Sequence, residues 1–132
     1  MFYGTLTAGS SVSAASSYIF NQSLLTNTNL TYNSSTGLFT FRTPGLYKIT
    51  FSTSGSGTGI ITPTLVLSGN ISTTALAKMS PTADTDFRSC SFESVVRVNP
   101  SNNNTFATMN IINNGAVSQT VSSGDIIIER IA

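Results

Sequence analysis

Between residues 45 and 53 the chain reads GLYKITFST, and this alternation constrains its fold more than any other feature. Tyr47, Ile49 and Phe51 fall on one side of an extended backbone. Lys48, Thr50 and Ser52 fall on the other, the period-two pattern of a strand with one buried face. Upstream, Leu38, Phe39 and Phe41 form a second apolar run, set off by Thr43-Pro44-Gly45. Pro44 fixes one backbone dihedral and Gly45 accepts positive φ, so local chemistry predicts a turn. Residues 32–53 therefore read as strand, turn, strand: an antiparallel pair with its aromatic face in a core.

Helical periodicity is nearly absent elsewhere, and β-branched and aromatic residues cluster between Gly, Asn, Ser and Pro. Strands are expected at 2–7, 18–20, 24–25, 30–32, 60–68, 72–79, 87–98, 106–112, 117–121 and 126–131. Polar connections lie between them, at 9–17, 54–59, 80–86 and 99–104. Pro63 cannot donate to a ladder, which places the start of its strand at an edge or bulge. About eight to ten short strands with regularly spaced turns describe an antiparallel two-sheet jelly roll, and the length fits one domain over residues 1–132.

Composition removes most chemistries. Charged residues make up 8% of the chain, against about 25% in an ordinary soluble domain. The polar surface must come from Ser, Thr and Asn. A net charge of +1 gives no footprint for nucleic acid. There is no histidine, hence neither the commonest general base nor the commonest transition-metal ligand. Cys90 is the only cysteine, so no intrachain disulfide and no multi-thiolate zinc site can be assembled. No apolar run approaches the ~18 residues of a membrane span, and neither membrane insertion nor a secretory signal is expected.

The remaining candidates favour bland roles. Asp84 and Asp86 could offer oxygens to calcium, which wants six to eight; a solvated loop explains them as well. Cys90, without a histidine, reads as a small buried hydrophobe. Gly55-Ser56-Gly57-Thr58-Gly59 lacks the lysine and helix of a phosphate loop and reads as a connection. Glu93, Asp125 and Glu129 could pair for glycoside hydrolysis, but Arg97 and Arg130 nearby favour charged surface. The Asn-x-Ser/Thr triplets at Asn21, Asn29, Asn33, Asn70 and Asn103 follow from composition. No catalytic residues, cofactor or metal site is expected, and an enzyme is the disfavoured branch.

Two blocks carry a resemblance. Tyr32-Asn33-x-x-Thr36-Gly37-x-Phe39-Thr40, followed by Pro44-Gly45-x-Tyr47 and alternating apolar residues, resembles the central signature of the C1q/TNF-like jelly rolls. With Gly45-Leu46-Tyr47-Lys48-Ile49-Thr50, the ending Gly124-Asp125-Ile126-Ile127-Ile128-Glu129-Arg130-Ile131-Ala132 is similar to the C-terminal domain of the BclA-type collagen-like glycoproteins of the Bacillus exosporium. The likeness follows strand order over most of the chain, with residues 55–104 matching in pattern only.

That resemblance implies a homotrimeric, non-enzymatic head on a spore-surface filament, driving trimerisation and presenting an outer surface for adhesion. The implied partners are two further copies, a collagen-like stalk or exosporium anchor upstream, and surface glycans. The alternative is the receptor- or carbohydrate-binding tip of a phage or viral fibre, on a virion. Ile126, Ile127 and Ile128 put apolar side chains on both faces of one strand, and Ile131 shares the face of Ile127. One cover is the domain's own core; a neighbouring subunit is the expected second. The core and trimer interface are thus expected to draw on Tyr47, Ile49, Phe51, Ile126, Ile127, Ile128 and Ile131.

Overall fold

The computed structural model describes residues 1–25, 29–56, 63–76, 88–100, 107–115 and 117–132. These form β1 (Phe2–Thr5), β2 (Ser11–Val12), β3 (Asn21–Leu25), β4 (Leu30–Asn33), β5 (Leu38–Phe41) and β6 (Gly45–Ser56). The later strands are β7 (Pro63–Ser68), β8 (Ile71–Leu76), β9 (Arg88–Val98), β10 (Ala107–Asn113) and β11 (Gln119–Arg130). The larger antiparallel sheet has the order β3-β1-β11-β6-β9-β8, with β2 also beside β11; the smaller has the order β4-β5-β10-β7. The fold is an all-β, antiparallel two-sheet jelly roll, as the alternation predicts.

Alternate residues of facing strands fill the space between the sheets. Phe2 meets Phe39 edge-on at 4.9 Å, and Phe51 meets Phe92 at 5.3 Å between ring centroids. Phe41 and Tyr47 pack at 4.7 Å. Aromatic pairs of this kind add roughly 0.5–1.5 kcal/mol beyond their area burial. Cys90 belongs to the same interior at 4% exposure, the small-hydrophobe role expected of it.

Residues 32–53 do not form a hairpin. β5 pairs with β4 and β10, whereas β6 pairs with β11 and β9 in the other sheet. Pro44-Gly45 is a corner that hands the chain from one sheet to the other. The Phe41–Tyr47 contact closes this corner across the core, where a hairpin would have placed the two rings along one sheet face. Tyr47 also donates its hydroxyl to the Thr43 carbonyl at 2.6 Å. The hairpin at this point lies one strand earlier, between β4 and β5. Its turn uses Gly37 at φ +77, whose N–H donates to the Asn33 carbonyl at 2.8 Å.

Two further expectations change. The strands expected at 117–121 and 126–131 merge into one, β11 (Gln119–Arg130), with a bulge between Val121 and Ser123. Gly124 does not break it, because its backbone pairs with Thr53 of β6. Residues 18–20 make no strand: the chain from Leu6 to Phe20 is a strap touching both sheets. Leu6 and Gly9 donate to carbonyls of β11, while Ser17 bridges Ile112 and Tyr18 donates to Ile111 of β10. Pro63 opens β7, an edge strand, where its missing donor costs no ladder bond.

Candidate functional site

The pleat sorts the isoleucines of β11. Ile126 is opposite Phe51 and Ile128 opposite Ile49; with Tyr47 all five are buried between the sheets. These five residues are occupied by the domain's own core. Ile127 points the other way and is half-buried, while Ile131, just past the strand, is 51% exposed. The expected two-sided strand is therefore divided: two isoleucines inward, Ile127 and Ile131 outward.

The register of the large sheet extends this outward position into a row. Ile127 is opposite Tyr3 of β1, and Tyr3 is opposite Leu24 of β3. On the far side Ile127 is opposite Thr50 of β6, and Thr50 is opposite Glu93 of β9. Leu24 is 41% exposed and Tyr3 half-buried, so three large side chains on neighbouring strands stand together on the solvent face. Tyr3 and Leu24 were not among the expected interface residues. The signal was present in the doublets Phe2-Tyr3 and Leu24-Leu25, which, like the isoleucine run, place apolar groups on both faces of a strand.

Polar groups border the row. Lys48, directly opposite Glu129, lies 3.7 Å from Glu93, so the partner of Glu93 is across the strands and not Arg97 on its own strand. Both side chains are well exposed, and such a pair contributes roughly 0.2–1 kcal/mol. Ser52 donates to Asp125 at 2.8 Å. Arg130 donates twice to the Pro44 carbonyl, at 3.2 and 2.9 Å, fixing the end of β11 to the corner. Glu93 and Asp125 are thus surface groups paired along the sheet, and Glu129 is exposed at its margin. Among the described residues no cluster of Cys, Asp or Glu is placed to hold a metal ion. Asp84 and Asp86 lie outside the described residues, as do Gly57, Thr58 and Gly59; Gly55 and Ser56 are the end of β6.

Buried polar groups are satisfied within the domain. Tyr18 donates to Gln119 Oε1 at 2.6 Å, and Gln119 Nε2 donates to Thr53 Oγ1 at 3.3 Å. Burial, with a smaller push from Cys90, holds the Tyr18 hydroxyl well above the ordinary tyrosine range. Burial also raises Tyr32, opposed by the N–H that Phe20 donates to it, and Tyr47, opposed by Arg130.

The family model for the C1q domain matches residues 1–127. The chain belongs to the C1q domain family. Such domains are generally non-enzymatic, and homotrimer formation is typical of them. This C1q domain is also similar to a crystal structure of murine APRIL at pH 8.0, with 12% identity, coverage of 95% of this chain and 97% of that one, and a TM-score of 0.49. No curated protein sequence matches it.

Proposed function

We propose that this C1q domain is the trimer-forming head of a spore-surface filament, joined to a collagen-like stalk and presenting its outer surface for adhesion. The observation that carries the self-association is the row Leu24, Tyr3 and Ile127 on the outward face of the large sheet, with Ile131 beyond it. An apolar cluster shared by three strands loses contact with water when a second copy covers it, and burying a side chain the size of Ile contributes about 1.5–3 kcal/mol. Threefold symmetry repeats that contribution in every subunit. The spore and stalk setting is supported by the likeness of Gly45-Leu46-Tyr47-Lys48-Ile49-Thr50 and of the last nine residues to the BclA-type glycoproteins.

Light scattering after size exclusion tests the assembly. The expected mass is three times the 13.9 kDa chain. Ile127→Asp should lower it to that of a single chain with the β-sheet circular dichroism retained. Ile128→Asp is the wrong probe, because Ile128 is fully buried and its loss unfolds the domain. A wild-type chain eluting at 13.9 kDa ends the proposal.

A further inference from the structure

The strap between β1 and β3 borders an open cleft of about 260 Å³. Leu6, Val12 and Ile19 supply its apolar lining. Thr7, Ser11, Ser17 and Asn21 supply hydroxyls and an amide, and none of the lining residues is charged. The strap is held open by bonds to both sheets: Gly9 donates to Val121 of β11, and Asn113 of β10 donates to Ser16. All of these groups come from one chain.

The polar lining is already oriented. Asn21 Nδ2 donates to Thr7 Oγ1 at 2.6 Å, so the Thr7 hydroxyl accepts there and keeps its own proton to donate. Asn110 Nδ2 donates to Ser17 Oγ at 2.8 Å, which leaves Ser17 in the same condition. The bond from Asn21 uses its amide nitrogen and leaves its carbonyl oxygen as an acceptor. Donors and an acceptor thus share the cleft with an apolar surface, in the absence of charge. Pockets that recognise small molecules have this composition, mostly apolar with a few placed polar groups.

We propose that this cleft is a binding site for one neutral pyranose unit of a glycan. A pyranose ring offers hydroxyls that both donate and accept, and a C–H face that suits Leu6, Val12 and Ile19. A charged ligand would meet no counter-charge there, since the lining carries none. A flat aromatic ligand would leave the Thr7 and Ser17 protons and the Asn21 carbonyl unpaired. The cleft, somewhat smaller than the usual ligand pocket, accommodates no more than a single ring. The site stands apart from the apolar row of the large sheet and does not depend on trimer formation.

Amide chemical-shift titration of the full chain with glucose, galactose, rhamnose and N-acetylglucosamine tests the assignment. One of them should shift amides within residues 6–12 and 17–21 in a saturable way, with a Kd of order 1 mM, appropriate to so small a ligand. Ser11→Phe, an exposed position that leaves the fold's bonds in place, should fill the cleft and weaken binding at least about tenfold. Glucose 6-phosphate should bind more weakly than glucose. Absence of shifts with all four sugars up to about 50 mM overturns the proposal. So does unchanged affinity in Ser11→Phe, tighter binding of the phosphate, or saturable shifts confined to another surface. Light scattering on the same samples separates this outcome from that of the assembly proposal.

Discussion

Replacing Gly45 should break the corner between the sheets, and the structure gives the size of the effect. Gly45 sits at φ +147, a region essentially reserved for glycine. A Cβ built there would lie 2.6 Å from the Ala132 carbonyl and 2.7 Å from Arg130 Nε. Two costs follow. Holding a non-glycine residue at this angle costs about 1–3 kcal/mol. Moving Arg130 and Ala132 aside disturbs the bonds from Arg130 to Pro44 and from Leu46 N–H to Ala132, worth about 1 kcal/mol at an exposed site. Together they predict a loss of about 2–4 kcal/mol, or about 6–15 °C in Tm for a domain of this size. Gly45→Ala should already show most of the loss, because the Cβ itself makes the clash; Gly45→Val adds to it. Asparagine should not rescue, since its tolerance is for the smaller positive φ of the left-handed helix region. Thermal unfolding followed by circular dichroism at one fixed protein concentration measures the effect, as assembly makes Tm concentration-dependent. Removing Arg130 as well, in Gly45→Ala/Arg130→Ala, should lose less than the sum of the two single changes. A Gly45→Ala variant within about 0.5 kcal/mol of wild type would refute the reasoning.

Two more outcomes follow from the buried tyrosines. Tyr18→Phe leaves the Gln119 carbonyl oxygen without its donor and should cost about 1–3 kcal/mol, whereas Tyr18→Phe/Gln119→Leu should cost less than the two single losses combined; urea unfolding of the four proteins decides. Tyr18, Tyr32 and Tyr47 all hold their protons in the fold after the unfolded chain has lost them, so the unfolded state binds fewer protons above about pH 10 and stability should fall as pH rises past that point. Urea midpoints that stay level from about pH 9 to pH 11 would contradict this.

The strands were legible because a single buried face leaves a period-two record, as Tyr47, Ile49 and Phe51 show against Lys48, Thr50 and Ser52. The pairing of β5 was not. A proline and a glycine make the same local bend in a hairpin and in a corner between sheets, and only the distant partners of β5, on β4 and β10, distinguish the two. The same limit hid the outward row. Ile127 announced itself within its own strand, but Tyr3 and Leu24 join it through a register that spans nearly the whole chain. The continuity of β11 through Gly124 was likewise a matter of partner: Thr53 supplies the ladder that the local sequence does not promise. For the cleft, Thr7 read as the end of a strand, Ser17 as part of a polar connection and Asn21 as a triplet of composition, and only the strap brings them together.

The pairing of β1 with β11 has a kinetic consequence. Phe2 finds Ile128 as its partner, so the middle of the large sheet joins the first and last strands of the domain. During synthesis β1 emerges well before β11 and must wait, with Phe2 and Tyr3 uncovered, until β11 arrives. Closing so long a loop costs entropy before any contact repays it, which places folding in the slow millisecond-to-second class of all-β domains. Over that interval the half-built sheet has open edges at the positions β11 will occupy beside both β1 and β6, and a neighbouring nascent chain can pair there.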